Sequence, residues 1–165
     1  MKYVTSYENV TKVCDVAEWM DGTWVYSNID EDLMFSDHES WVYFIVVGKK
    51  IWKIGESGNP LGIRPKTIKE YYGIQPVSNS KGRLGRYRGG DGTDYDIREL
   101  LTDDVMAGKV SIWAHKCDIV TTQISIIKGN TIEVPSEPHK KLEVILINSY
   151  YNMYGELPPG NKCRK

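Results

Sequence analysis

The sequence is poor in the residues from which disulfide scaffolds and multi-ligand metal sites are built. It contains only three Cys and three His among 165 residues. The positions are Cys14, Cys117 and Cys163, and His38, His115 and His139. None of these residues has the paired spacing of a zinc site. Three scattered cysteines, an odd number, do not suit a disulfide framework. We therefore expect a reducing, cytoplasmic setting.

Long apolar segments are absent as well. The longest, Trp41–Val47, has seven residues, whereas a membrane-spanning helix needs roughly 20. Residues 1–8 contain no continuous apolar stretch, so we expect neither a signal peptide nor a membrane partner. The length and a hydrophobic share of 41% predict one globular domain over residues 1–165.

Positive charge is concentrated in one part of the chain. Residues 48–90 hold ten Lys or Arg and two acidic residues, whereas residues 1–40 hold two Lys and nine acidic residues. A basic block of this density indicates a site for a polyanion, with nucleic acid as the first candidate. The alternative is a solvated surface whose charges serve no partner.

Hydrophobic patterns and turn residues predict the secondary structure. Trp41–Val47 and residues 51–55 form a β-hairpin around Gly48, and residues 109–116 form a third strand. Further strands are predicted at 23–26, 122–127 and 131–134. Helices are predicted at 82–88, 95–107 and 139–154, the last two ended by glycines.

These elements predict an α+β fold with a small central antiparallel β-sheet flanked by helices, in the order β-β-α-α-β-α. The core spans residues 41–161. Residues 1–40 are an N-terminal extension, and the hairpin at 118–137 is an insertion in the core.

Three local features carry candidate chemistry. Tyr43 and Lys53 lie on neighbouring strands, where facing residues are about 5 Å apart, and an ammonium beside a tyrosine favours its ionised form. From the hairpin alone, a core tyrosine and a surface lysine are the favoured interpretation.

Glu143 interrupts an otherwise apolar helix, so it requires a cation (a metal, Lys or Arg) unless that helix start is exposed. Arg83 and Arg86 share a helical face that suits phosphate binding, or is merely solvated.

The first of these features resembles a known motif pair. Val42-Tyr43, nine further residues and Lys53-Ile54-Gly55 are similar to the paired motif of the GIY-YIG nuclease superfamily. Trp41 replaces its first glycine, and Lys53 replaces its second tyrosine.

The later motifs occur in the family's order. Arg83-Leu84-Gly85-Arg86-Tyr87 resembles its Arg-Leu-x-x-His helix motif, with Tyr87 in the His place. Leu142-Glu143 resembles the metal-binding Glu motif of the third helix, and Pro158-Pro159-Gly160-Asn161 the Pro/Asn segment after it. The segment 56–79 is long for the family, so Arg64 competes with Arg83. We prefer Arg83 because Leu84 and Tyr87 accompany it.

The resemblance implies a Mg²⁺-dependent (or Mn²⁺-dependent) DNA endonuclease of restriction or phage type. Glu143 would hold the ion, Tyr43 would be the general base, and Lys53 its positive neighbour. Arg83 would stabilise the transition state, and Tyr87 would orient water or phosphate. The predicted DNA contacts are Arg64, Lys66, Lys81, Arg86, Arg88 and Asn161.

Two questions stay open at this point. The loss of the first Gly and the second Tyr leaves a non-catalytic nucleic-acid-binding module on the same fold as an alternative. One site cuts one strand at a time, so cutting both strands requires a second subunit or a second visit, and we expect a homodimer on DNA.

Overall fold

The structure is a computed structural model that describes residues 9–18, 24–62, 83–84, 87, 93–127 and 130–162. The predicted DNA contacts Arg64, Lys66, Lys81, Arg86 and Arg88 lie outside these residues. The helix predicted at 82–88 is described only at residues 83, 84 and 87, of which residue 87 is helical.

The α+β class and the central antiparallel sheet are confirmed. The strands are β1 (Thr11–Glu18), β2 (Trp24–Ser27), β3 (Trp41–Val47), β4 (Lys50–Ser57), β5 (Val110–Lys116), β6 (Thr121–Ile127) and β7 (Asn130–Pro135). The helices are α1 (Glu31–Met34), α2 (Thr93–Met106) and α3 (Pro138–Tyr154).

The N-terminal extension enters the main sheet, which sequence reasoning did not predict. The strand order is β2-β1-β5-β3-β4, with β1 antiparallel to β5 in the middle of the sheet. Only the short strand β2 was expected in this region. A register shift between Lys12 and Cys14 makes Val13 and Cys14 both buried, and such an irregularity hides the period-two pattern of a strand.

The hairpin of β3 and β4 is confirmed, and it contains a register shift. Val46 pairs with Ile51, whereas the preceding residue, Ile45, pairs with Lys53. Trp52 is therefore an extra residue on β4. A bulge of this kind re-aims every side chain beyond it.

Alternate residues of β3 face two separate apolar layers. Trp41, Tyr43 and Ile45 lie on what we call the tyrosine face, which packs against α2. Val42, Phe44 and Val46 lie on what we call the α3 face, where Ile147 of α3 joins them. The sheet therefore separates two apolar layers.

The second predicted hairpin is also confirmed. Strands β6 and β7 form a two-stranded sheet of their own. Its base is closed by two bonds: the Ser136 N–H donates to the Val120 carbonyl at 2.8 Å, and the Val120 N–H donates to Ser136 Oγ at 3.1 Å.

Both long helices lie within two residues of their predicted ends. Helix α3 begins at Pro138, which needs no N–H partner in the first turn. It ends at Gly155, whose φ of 77° is the left-handed conformation that glycine adopts without strain. Among the described helices, none has the length and apolar character that a bilayer crossing requires.

Candidate active site

The site is built on the contact between Tyr43 and Gly55, which face each other across β3 and β4. The Tyr43 ring lies directly over the Gly55 α-carbon, so that a Cβ added to residue 55 would overlap the phenol. Only glycine fits this position without displacing the ring. Tyr43 is 1% exposed.

Arg83 is brought to this face by backbone pairing with the segment that follows β4. The Arg83 N–H donates to the Pro60 carbonyl at 2.9 Å, and the Leu84 N–H donates to the Leu61 carbonyl at 2.8 Å. Residues 83 and 84 therefore return to the end of β4 although some twenty positions separate them in the sequence. Leu61 and Leu84 are fully buried, which anchors this return in the core.

Tyr43, Tyr87 and Arg83 are in mutual contact. The hydroxyls of Tyr43 and Tyr87 are 3.0 Å apart and share a hydrogen bond. Arg83 Nη2 donates to the Tyr87 hydroxyl at 3.4 Å. The guanidinium carbon lies 5.3 Å from the centre of the Tyr43 ring and 5.0 Å from that of Tyr87, within the range of cation–π attraction. The structure thus brings together three of the five predicted catalytic residues.

Two aromatic residues of the N-terminal extension complete this cluster, and sequence reasoning missed both. Trp24 stacks on Tyr87 with ring centres 5.1 Å apart. The Tyr26 hydroxyl donates to the Leu84 carbonyl at 2.6 Å, which fixes the turn that carries Arg83. Their i, i+2 spacing on a short strand was the available signal, because such residues share one face of a sheet.

Tyr43 and Lys53 lie on neighbouring strands, as predicted, but they do not face each other. The bulge at Trp52 pairs Lys53 with Ile45 and gives Gly55 the position facing Tyr43. Lys53 Nζ donates to the Gly160 carbonyl at 3.2 Å, which directs the ammonium toward the segment after α3. The cation stacked over the Tyr43 ring is Arg83.

Glu143 lies on the other side of the sheet. It is 5% exposed and shares the sheet-facing side of α3 with His139 and Ile147. Because Ile147 belongs to the α3 face, the Glu143 side chain enters the molecule from that face, opposite the layer that contains Tyr43. The prediction of a buried carboxylate in this apolar helix is confirmed.

A second polar cluster lies beside the first turn of α3. His139 Nδ1 shares a hydrogen bond with Ser40 Oγ at 2.9 Å, and His139 Nε2 lies 3.5 Å from Glu56 Oε2. Both Ser40 and His139 are buried. Sequence reasoning treated His139 as isolated, and its partners 83 and 99 positions earlier in the chain carried no local signal.

The described residues could hold a metal ion only with few protein ligands, which is a form of binding that Mg²⁺ accepts. Within the described part of the chain, no group of three or more His, Cys, Asp or Glu could hold a metal. A cage of protein ligands, as calcium or structural zinc needs, is therefore not formed by these residues. A single buried carboxylate such as Glu143 suits Mg²⁺, which keeps most of its ligands as water and phosphate oxygens.

Asn161 has both ends of its amide bonded to β4. Asn161 Oδ1 accepts from the Ile54 N–H at 2.9 Å, and Asn161 Nδ2 donates to the Ile54 carbonyl at 2.8 Å. These bonds attach Asn161 to the outer edge of β4, and its DNA contact stays a prediction.

Neither described cysteine has the properties of a nucleophile. Burial raises the pKa of the Cys14 thiol far above its usual range and also raises the pKa of Cys117. A raised pKa keeps the thiol protonated and unreactive.

The chain is an α+β protein whose antiparallel sheet bears two buried tyrosines and a half-buried arginine in contact on one face, and a buried carboxylate on the other. No family model matches the sequence, and no curated protein matches it significantly. Among solved structures, a mutant of bacteriophage T4 EndoII aligns over 92% of this chain and 91% of its own, with a TM-score of 0.54 and 14% identity.

A second solved structure, restriction endonuclease HPY188I in complex with product DNA, aligns over 94% of this chain and 81% of its own. Its TM-score is 0.45, and the identity is 20%. The similarity to EndoII shows a shared fold.

Proposed function

We propose that the protein is a Mg²⁺-dependent (or Mn²⁺-dependent) endodeoxyribonuclease of the GIY-YIG type, as restriction systems and phages use. The observation that carries the proposal is the contact of Tyr43 with Tyr87 and Arg83, because these motif residues come from two segments that lie 40 positions apart in the sequence. The fold shared with a phage nuclease is consistent with this activity, although a fold alone does not define a function.

Tyr43 is the proposed general base, which takes a proton from the attacking water. A free phenol titrates near pH 10, so it needs a positive neighbour to act near neutral pH. The Arg83 guanidinium over the ring supplies that charge. Its effect is strengthened because the Tyr43 and Tyr87 side chains are buried, so water screens the interaction less than at an exposed site. The Tyr87 hydroxyl, 3.0 Å away, stabilises the phenolate by hydrogen bonding.

Arg83 has a second proposed role. Its side chain is half-buried, and a guanidinium has five N–H donors in a rigid fork. We propose that this fork also binds a phosphate oxygen of the DNA. Negative charge grows on such an oxygen in the transition state, so a donor fixed there lowers the barrier.

Glu143 is the proposed ligand of the ion, with water and phosphate completing the coordination. When bound, the ion stabilises negative charge on the scissile phosphate and on the leaving oxygen. The two faces of the sheet meet at the outer edge of β4, where Lys53 and residues 158–161 also lie. The products would be a 5′-phosphate and a 3′-hydroxyl.

DNA binding is proposed for the basic block, with Arg64, Lys66, Lys81, Arg86 and Arg88 as phosphate contacts. One site can cut one strand at a time, so a two-fold dimer on DNA is proposed for double-strand cleavage. Sedimentation of an inactive Glu143→Ala variant on a DNA duplex tests this: two chains per duplex support the dimer, and one chain supports nicking.

A non-catalytic DNA-binding module is the second candidate. It is favoured by the burial of Tyr43 and Tyr87, which are 1% and 0% exposed and bond to each other. In that case the cluster is part of the core, and the basic block binds DNA without cutting it.

Incubation of supercoiled plasmid with the protein separates the two candidates. The nuclease predicts nicked or linear plasmid in Mg²⁺ and none in EDTA. The binding module predicts a gel shift in both conditions with the plasmid intact. Absence of both cleavage and a shift would contradict DNA as the substrate.

A further inference from the structure

Strand β4 lies at an end of the main sheet, so half of its backbone groups point away from β3. Trp52 and Ile54 direct their carbonyls outward, where the segment after α3 meets them. The Gly160 N–H donates to the Trp52 carbonyl at 2.7 Å, so the turn after α3 bonds to the edge of β4. An edge strand without such a partner would expose its donors and acceptors.

Asn161 bonds to the same edge of β4 through its side chain. Its amide presents one acceptor and one donor, which match the N–H and the carbonyl of Ile54. Neither a carboxylate nor an aliphatic side chain can satisfy both groups. The pairing is also held in place by a turn, because the Asn161 N–H donates to the Pro158 carbonyl at 2.8 Å.

Gly160 and Lys53 make this attachment tight. A Cβ at residue 160 would overlap the Trp52 ring, so the two backbones approach as closely as only glycine permits. Lys53 Nζ then bonds the Gly160 carbonyl at 3.2 Å. Three successive residues of β4, from Trp52 to Ile54, are thus tied to residues 160 and 161.

The next residue of β4 is Gly55, on which the Tyr43 phenol rests without spare room. Any outward movement of β4 at Ile54 would open this contact and allow the Tyr43 hydroxyl to leave its place 3.0 Å from that of Tyr87. Catalytic groups tolerate such movement poorly, since a displacement of about 1 Å costs roughly a hundredfold in rate.

We propose that Asn161 is a positioning residue, which holds β4 and Gly55 against Tyr43, and that it is not a DNA contact. Its effect on rate rests on the proposed nuclease function. Its effect on the geometry around Tyr43 does not, because that effect can be measured without DNA.

The test compares Asn161→Ala, Asn161→Asp and the matched control Asn152→Ala, an exposed asparagine of α3. Asn161→Asp retains the acceptor for the Ile54 N–H and loses the donor, so it keeps the protein measurable if Asn161→Ala does not fold. Two readouts need no DNA: hydrogen exchange of the Ile54 amide, and the ¹³Cζ resonance of labelled Tyr43, assigned with Tyr43→Phe.

In Asn161→Ala, we expect Ile54 exchange to accelerate about tenfold, the equilibrium factor of one lost hydrogen bond. The Tyr43 resonance should shift, and its titration with pH should change. Asn161→Asp should change the Tyr43 resonance with a smaller effect on the Ile54 amide, and Asn152→Ala should match the wild type. An unchanged Tyr43 resonance in a folded Asn161→Ala would overturn the proposal, whatever the enzyme activity.

Plasmid cleavage gives the second arm. A positioning role predicts a rate at saturating plasmid lowered roughly ten- to hundredfold, with affinity and its salt dependence unchanged. A weaker affinity with a smaller salt slope and a normal saturated rate would identify Asn161 as a DNA contact and overturn the proposal. If the wild type cuts nothing, the proposed nuclease function fails, and the Tyr43 resonance still decides the positioning role.

Discussion

The two faces of the hairpin of β3 and β4 carry different groups, although both are formed by alternate residues of β3. On the tyrosine face, Tyr43 meets Tyr87 and Arg83 in an aromatic cluster with shared hydroxyls and a stacked cation. On the α3 face, Val42 and Phe44 meet an apolar helix whose buried polar residues are His139 and Glu143. One face therefore has groups suited to proton transfer, and the other has a carboxylate suited to a hard cation.

This difference shows how residues of one predicted site can be divided between two layers. A strand alternates its side chains, so a helix packed on one face cannot place its carboxylate within the layer of the other. The outer edge of β4 is where the two layers meet, and Asn161 occupies it. The predictions below ask whether both faces serve one reaction.

The largest effect is expected from the α3 face. Glu143→Ala should abolish plasmid cleavage in Mg²⁺ while DNA binding remains measurable, because the carboxylate is proposed to hold the ion and not the DNA. Glu156→Ala, an exposed carboxylate after the same helix, is the matched control and should cut normally. Undiminished cleavage by Glu143→Ala would limit the chemistry to the tyrosine face.

A smaller but still large effect is expected from Arg83→Ala on the tyrosine face. The cleavage rate should fall at least about a hundredfold, the scale of a lost transition-state charge stabiliser. Arg64→Ala should instead weaken binding and lower its salt dependence. The measurement is the rate at saturating plasmid together with affinity at two salt concentrations. If Arg64→Ala stops catalysis and Arg83→Ala does not, the assignment of the arginine is wrong.

Gly55→Ala should destabilise the protein, because the new methyl group overlaps the Tyr43 ring. Overpacking of this kind typically costs about 1–3 kcal/mol, measurable by urea unfolding. The double variant Gly55→Ala/Tyr43→Ala should lose less than the sum of the two single variants, because removing the ring frees the space. Strict additivity of the two would contradict the contact.

The smallest effect is expected away from both faces, at Asp15 on β1. Burial alone would raise the pKa of Asp15, but bonds from Lys12 and Asn28 outweigh it and lower that pKa. A lowered pKa contributes stability above the ordinary range near 4 and loses it as pH falls through the folded value. Asp15→Asn should therefore be less stable than the wild type at pH 7, by at most about 1 kcal/mol. The difference should shrink toward pH 3, and a difference that grows on acidification would contradict the assignment.

Local patterns were sufficient to predict most elements. The apolar run Trp41–Val47 and the glycine-ended helices have their expected bounds, because period and caps are properties of neighbouring residues. The strand β1 was missed because Lys12 and Asp15 interrupt it and a register shift breaks its alternation.

The sequence was sufficient to predict which residues contact one another at the site more fully than how those residues are placed in the sheet. The turn at Gly48 and Lys49, without the bulge at Trp52, would pair Tyr43 with Ile54. Because Trp52 is an extra residue on β4, Gly55 and not Ile54 faces Tyr43. No local pattern in the sequence indicated this bulge. The pairing of Arg83 with Pro60 is likewise a tertiary contact across a long segment, which the sequence could suggest only through the resemblance of its motif.

The central claim is that the tyrosine face performs the proton transfer of DNA cleavage. The most direct measurement is the rate of plasmid cleavage by Tyr43→Phe and by the wild type from pH 6 to pH 9. The variant removes one buried oxygen and should remain folded. The account predicts a loss of roughly 10²–10⁴-fold, the usual contribution of acid–base catalysis, and a wild-type rate that rises with pH to a plateau. A Tyr43→Phe enzyme with the wild-type rate and pH profile would contradict it.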